Sequence, residues 1–398
     1  MKQGWVTDRF QDVVFLQEGP GIRKYEYQND GYPMINVRCV QDGFIDMTKS
    51  RSANYELATT KWKHFQIEEG DILFTISGTI GRSAIVKKSD LPLLMNTSVV
   101  RFRPLTNELD RRFLYHIVRG KKFQDDLINQ STGTAIKNVG PSHLKKITIS
   151  YPPLPEQKCI VAKLDQAFEA IDKAKANVER NLQNAKDLFQ SELNRIFSQK
   201  GDGWVEMTLV DVAREFGRGK SKHRPRNDKS LYNGGYPFVQ TGDVRNAHKI
   251  ILDHSQTYNE KGLAQSKLWE ENTVCITIAA NIAETAILNF KACFPDSIIG
   301  FIANPKISDN HYVYYVLQHF KEELKKLGKG SAQDNINLGT FENHTFPFPD
   351  VKTQQLIVAN LDTLDEKVIR LESRYADELI SLDELKKSIL QKAFNGEL

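Results

Sequence analysis

The chain has 398 residues, 40% of them hydrophobic and 26% charged, with a formal net charge of +4. That length exceeds one ordinary domain and predicts two, and the balance is that of a soluble globular protein. No apolar run approaches the ~18 residues that span a membrane, and Met1-Lys2-Gln3-Gly4-Trp5 lacks the apolar core of a signal peptide, so the expected location is cytoplasmic. Cys39, Cys159, Cys275 and Cys293 stand alone. Without a C-x-x-C pair they argue against a zinc site or a disulfide framework and suit a reducing compartment.

A β-rich segment comes first. Asp71-Ile72-Leu73-Phe74-Thr75-Ile76 is a run of strand length, and Gly78-Thr79-Ile80-Gly81 reads as the turn after it. A helical stretch, Arg112–Phe123, follows. Tyr151-Pro152-Pro153-Leu154-Pro155 then ends regular structure and suits the first turn of a new helix. Over 156–198, Leu164, Phe168, Ile171, Val178, Leu182, Ala185, Phe189 and Ile196 recur in steps of three and four, a heptad seam with one gap at Lys175. About 43 residues at ~1.5 Å each predict a helix roughly 65 Å long.

The grammar then repeats. Gly4-Trp5-Val6 recurs as Gly203-Trp204-Val205, and Gly31-Tyr32-Pro33 as Gly235-Tyr236-Pro237. Gly133-Thr134-Ala135-Ile136-Lys137-Asn138 recurs as Gly330-Ser331-Ala332-Gln333-Asp334-Asn335. Ile160-Val161-Ala162-Lys163-Leu164-Asp165 recurs, at the same offset, as Ile357-Val358-Ala359-Asn360-Leu361-Asp362. A second strand (Val274–Ile278), a second helical stretch (Tyr312–Leu327) and a second proline break (Phe346-Pro347-Phe348-Pro349) take their expected places. The second long helix carries the seam Leu361, Leu364, Val368, Leu371, Tyr375, Leu382, Leu385 and Ile389. A long helix with a narrow apolar stripe needs a partner, and antiparallel pairing of the two would separate the modules. The expected fold is α+β: two β-rich modules, 1–152 and 201–350, and two long antiparallel coiled-coil helices, 153–200 and 351–398, in a pseudo-two-fold repeat.

Charge is uneven. Residues 1–155 carry 22 Lys and Arg against 16 Asp and Glu, which suits a polyanionic partner, whereas 201–350 carry 17 against 18. The second module still holds a dense basic run: Arg218, Lys220, Lys222, His223, Arg224, Arg226 and Lys229. No G-x-G-x-x-G follows a strand, no P-loop is present, the nine histidines lack metal-binding spacing, and Tyr151-Pro152-Pro153-Leu154 lacks the residues of an amino-methyltransferase turn. No catalytic and no metal-binding residue is therefore assigned. What remains is recognition, through loop side chains that read base edges or neutralise phosphates. The candidates are Arg38, Ser77, Thr79, Arg82, Lys137 and Asn138 in the first module. In the second they are Arg218, Lys220, Lys222, Gln240, Thr241, Arg245, Asn281, Gln333 and Asn335. Two modules on a spacer predict two half-sites at a fixed gap.

These residues also match a family. Pro152-Pro153-Leu154-Pro155-Glu156-Gln157-Lys158 with Ile160–Asp165 resembles the central signature of type I restriction-modification specificity subunits. Gly78-Thr79-Ile80-Gly81-Arg82 resembles a turn of their target-recognition domains, Gly234–Val244 the start of one such domain, and Ala393-Phe394-Asn395-Gly396-Glu397-Leu398 their usual end. The second break, Phe348-Pro349-Asp350-Val351-Lys352-Thr353-Gln354, departs by keeping the glutamine without Pro-Glu. The resemblance implies a non-catalytic subunit that reads an asymmetric bipartite site in double-stranded DNA. It also implies helices that dock methyltransferase subunits, and ATP-driven restriction subunits that join them. S-adenosylmethionine, ATP and Mg are then expected on the partners and no cofactor on this chain. A related system with a fused modification-restriction partner, or a two-module protein scaffold without DNA binding, are the other readings open at this level.

Overall fold

The structure, a computed structural model, describes residues 4–130, 139–222, 225, 228–279, 281–329 and 336–398. It divides into two units, Met1–Val178 with Asp377–Leu398, and Glu179–Ala376. Each unit therefore takes part of both long helices. Among the described residues no helix is long and apolar enough to cross a membrane.

The first unit runs β1 (Val6–Arg9), α1 (Phe10–Val13), β2 (Val14–Glu18), β3 (Tyr27–Ile35), β4 (Arg51–Ala53), α2 (Tyr55–Thr59), β5 (Ile72–Thr75), β6 (Ser83–Ile85), β7 (Leu94–Met95) and β8 (Val99–Pro104). It continues through α3 (Arg111–Arg119), α4 (Lys121–Gln130), α5 (Pro141–Leu144) and β9 (Thr148–Tyr151) into α6 (Leu154–Ser198). Its sheets have the orders β2-β8-β5-β6, β4-β3-β7 and β1-β9. The all-apolar start of β5 follows from its place between two cores. Ile72 and Phe74 face the helices, where they join Phe113, Leu164 and Phe168, while Leu73 faces the other way with Ile35, Val86 and Met95.

The second unit repeats this order with β10 (Val205–Thr208), α7 (Leu209–Val212), β11 (Ala213–Arg218), β12 (Tyr232–Phe238), α8 (Thr241–Asn246), β13 (Ile250–Ile251), β14 (Gln256–Tyr258), α9 (Glu260–Ala264), β15 (Leu268–Trp269) and β16 (Val274–Thr277). Then come β17 (Thr285–Leu288), β18 (Ala292–Cys293), β19 (Ile298–Ala303), α10 (Asn310–Lys329), α11 (Leu338–Asn343), β20 (Thr345–Phe348) and α12 (Val351–Asn395). The sheet orders are β11-β19-β16-β17-β13, β14-β12-β18-β15 and β10-β20. These are the first unit's sheets with one edge strand, β13 or β15, added to each of the larger two.

In the first unit α6 and α12 pair antiparallel, since Asp172 binds Lys386 and Lys175 binds Asp383, each at 2.7 Å. Ala393 is buried there and Phe394 packs on Phe113 with ring centroids 5.4 Å apart. In the second unit Leu193 and Phe197 of α6 share a core with Leu361 of α12. Of the seam positions, Leu164, Phe168, Ile171, Val178, Leu361 and Val368 are buried, and Leu182, Phe189, Leu364, Leu371, Leu382 and Ile389 partly so. Leu385 departs from the expected seam: it is 46% exposed, and Lys386 lies in its stead over the Phe168 ring, 5.0 Å from the centroid. From Leu382 the inward face steps by four, three and four, to Lys386, Ile389 and Ala393, because an α-helix with 3.6 residues per turn drifts against a seven-residue repeat.

One further difference concerns the first helical stretch. The expected single helix Arg112–Phe123 is two, α3 and α4, joined at Gly120, whose ψ of 143° is extended. A Cβ on Gly120 would lie 3.3 Å from the Phe394 ring, so the glycine break makes room for that phenylalanine. The corresponding α10 has no such glycine at that point and runs unbroken for 20 residues.

Candidate nucleic-acid interface

Two loop systems present polar side chains in each unit. The first follows β5 and β16. Buried Thr75 donates its hydroxyl to the Thr79 carbonyl at 2.5 Å and accepts the Arg82 backbone N–H at 3.0 Å. The loop between closes on Gly78 and Gly81, with φ of 67° and 96°, a region open to glycine at little steric cost. Thr277 does the same in the second unit: its hydroxyl donates to the Asn281 carbonyl and accepts the Glu284 N–H at 3.0 Å. Thr79 thus corresponds to Asn281, and Arg82 to Glu284. The loops share a frame and differ in charge. Glu284 is held by Lys321 at 2.7 Å and Lys325 at 3.8 Å.

Ser77 is half-buried, Thr79 exposed and Arg82 half-buried. Arg38 is exposed on a neighbouring turn, its backbone N–H donated to Asn36 Oδ1 at 2.9 Å, and a Cβ on Gly78 would lie 3.6 Å from Val37. In the second unit Arg245 Nη1 donates to Asn281 Oδ1 at 3.3 Å, which joins two of the sequence candidates. Arg218, Lys220 and Lys222 are exposed. Lys137, Asn138, Gln333 and Asn335, with His223, Arg224 and Arg226, lie outside the described residues.

The second loop system is a polar groove beside the smaller sheet. In the second unit the groove has a volume of about 740 Å³, and Gln240, Thr241, Gln256, Tyr232, Asn233 and Lys229 are among its walls. Gln240 is placed by its backbone N–H, which donates to Asp243 Oδ2 at 2.7 Å at the start of α8. Its Nε2 donates to Gln256 Oε1 at 2.7 Å. Burial, with Tyr258 beside it, raises the Tyr232 phenol above its ordinary range, so it stays neutral. The first unit has a groove of about 840 Å³ walled by Lys24, Tyr27, Gln28, Asn29, Arg51 and Ser52. None of these was among the sequence candidates. The repeated Gly31-Tyr32-Pro33 and Gly235-Tyr236-Pro237 marked the strand, but not the residues that face the groove.

The grooves are equivalent by strand register. β3 pairs with β4 through Tyr32↔Ala53, Pro33↔Ser52 and Met34↔Arg51. β12 pairs with β14 through Tyr236↔Tyr258, Pro237↔Thr257 and Phe238↔Gln256. In both strands the register shifts at the same place, between Tyr27 and Tyr32 and between Tyr232 and Tyr236. Such irregularities re-aim side chains out of the ladder. A glycine lies in each, and a Cβ on Gly31 would run into the Ala53 carbonyl, one on Gly234 into Asn259.

The family model described as the type I restriction modification DNA specificity domain matches twice, over residues 2–180 and 201–380. The chain belongs to that family. It is a specificity subunit of a type I restriction-modification system, with two recognition domains. The type I restriction enzyme EcoKI specificity subunit of Escherichia coli is 24% identical over 433 residues, covering 100% of this chain and 90% of its own. The fold is shared with the HsdS subunit from Thermoanaerobacter tengcongensis (TM-score 0.62, 20% identity, 100% and 98% covered). It is also shared with a chain solved in work on complex assembly and conformational transition of the type I R-M system (TM-score 0.79, 21% identity, 100% and 99% covered).

Proposed function

We propose that each unit of this specificity subunit reads one half of an asymmetric bipartite site in duplex DNA, while α6 and α12 set the gap between the halves. The observation that carries this reading is the pair of grooves. They occupy the same register of the same sheet in each unit and are lined by different hydrogen-bonding side chains. A shared frame with unlike lining is what two unlike half-sites require. The chain's part is recognition. Methyltransferase subunits dock on the outward faces of α6 and α12 and supply adenine methylation with S-adenosylmethionine. Restriction subunits add cleavage with ATP and Mg, and the assembly works in the cytoplasm.

The test is selection from random duplex DNA with the full chain co-purified with its modification subunits. Two short sequence blocks at a fixed gap are expected, with an affinity that falls steeply as salt rises. No enrichment at low salt would overturn the reading.

A further inference from the structure

The register equivalence singles out one residue in each unit. Arg51, the first residue of β4, is opposite Met34; Gln256, the first residue of β14, is opposite Phe238. Both are exposed and both line their groove. The same position therefore carries a guanidinium in one unit and a carboxamide in the other. These are the two side-chain types that discriminate purines in the major groove. Arg donates two hydrogen bonds to O6 and N7 of guanine, and Gln both accepts from N6 and donates to N7 of adenine.

Each side chain is also held by its surroundings. The Arg51 guanidinium lies over the Tyr27 ring, 5.5 Å from the centroid, which orients the planar fork. Gln256 is held by Gln240, whose Nε2 donates to Gln256 Oε1. With that bond made, Gln240 still offers a carbonyl oxygen and Gln256 an amide N–H, one acceptor and one donor, which match the donor and acceptor on an adenine edge. Fixing these side chains beforehand lowers the entropy lost on binding.

We propose that Arg51 and Gln256 are the matched specificity-determining residues of the two units, Arg51 reading a guanine in one half-site and Gln256, with Gln240, an adenine in the other. The assignment rests on the DNA-reading function above. It goes further by fixing which side chain reads, and what. A phosphate contact at the same place would strengthen binding to every sequence alike.

The test compares motifs selected from random duplexes by the full chain, co-purified with its modification subunits, as wild type, Arg51→Gln and Gln256→Arg. The wild type is expected to select a guanine at one position of one block and an adenine at one position of the other. Arg51→Gln should change the guanine position alone, and Gln256→Arg the adenine position alone. Against the wild-type site each variant should lose about 10- to 100-fold in affinity, recovered in part on the altered site. Variants that select the wild-type motif unchanged, or that lose affinity equally for all sequences, would overturn the assignment while leaving the function intact. A wild-type chain that enriches nothing would overturn the function and the assignment with it. Both residues are exposed, and a circular dichroism spectrum and Tm matching wild type identify a motif change as one of recognition.

Discussion

Gln157 binds Asp110: its Oε1 accepts the Asp110 backbone N–H at 2.8 Å, while its Nε2 donates to the carbonyls of Glu108 and Pro152, both at 2.7 Å. Asp110 in turn caps α3 by accepting the N–H groups of Arg112 and Phe113. Gln354 repeats the arrangement with the Asp309 N–H at 3.0 Å and the carbonyls of Ile307 and Pro349 at 2.9 and 2.8 Å. Both glutamines are 0% exposed. Each ties the proline break, the loop before a helix and the first turn of a long helix into one point. This explains why the second break keeps its glutamine though it lacks Pro-Glu.

Removing either amide strands three backbone groups, of which the Pro152 or Pro349 carbonyl is bound in a buried bond and the other two in part-buried ones. Gln157→Ala should destabilise the first unit, and Gln354→Ala the second, by about 2–4 kcal/mol each. Gln→Glu should not rescue, because a carboxylate cannot donate to the two carbonyls. Urea denaturation of the full chain measures this, and a loss under about 1 kcal/mol would count against the account.

The glutamines also show how far the sequence is legible. Repeats at constant offset revealed both units, and spacing in threes and fours revealed both long helices, because these signals are local and survive in any packing. Gly78 and Gly81 were legible as a turn, and both have positive φ. The Arg51 groove was not legible. β4 is only three residues long and β3 changes register along its pairing with it, so which side chain faces out is decided by pairing across the sheet. Thr79 and Asn281 are both candidates by sequence, yet their equivalence appears only through the hydroxyls of Thr75 and Thr277. Leu385 falls off the expected seam because the phase of the helix drifts against a fixed heptad.

Thr75→Val is expected to open the loop it closes. The valine keeps the shape but offers neither donor nor acceptor, leaving the Arg82 N–H and the Thr79 carbonyl unpaired at a cost of about 1–3 kcal/mol. Hydrogen exchange should rise over the Ser77–Arg82 loop while β5 stays protected. Thr75→Ser should restore protection, since its hydroxyl makes the same bonds. A loop equally protected in Thr75→Val would refute the role.

Acid should weaken the first unit through His116. The ring is 3% exposed, and both its nitrogens are buried without a hydrogen bond. Asp165 lies 3.8 Å from Nε2, but burial, reinforced by Arg119, Arg112 and Lys386, outweighs it and lowers the pKa from 6.5 to about 3. Between these values the unfolded chain binds a proton that the folded chain refuses, so stability falls as pH drops through 6.5 toward 3. The slope from this one group reaches about 1.4 kcal/mol per pH unit once the unfolded histidine is mostly charged. Denaturation at pH 7, 6 and 5, the range above most carboxylate titration, should show it. His116→Leu should flatten the profile, and an unchanged slope would rule the histidine out.

The contacts between α6 and α12 in the first unit set charge against packing, and magnitude decides between them. Lys175–Asp383 and Asp172–Lys386 have good geometry, but the aspartates are 55% and 61% exposed at the side chain. Pairs this wet contribute at most about 1 kcal/mol each. Leu164 is fully buried with Phe113 and Phe168 in one core, and its truncation to alanine should cost about 2–5 kcal/mol. Asp172→Ala and Asp383→Ala should therefore shift stability only slightly, and more at low salt than at high. Lys386→Ala should cost more than either, because its ammonium also lies over the Phe168 ring. Urea midpoints at two salt concentrations order the four variants. If an aspartate variant lost as much as Leu164→Ala, the paired charges rather than the apolar face would hold the helices together.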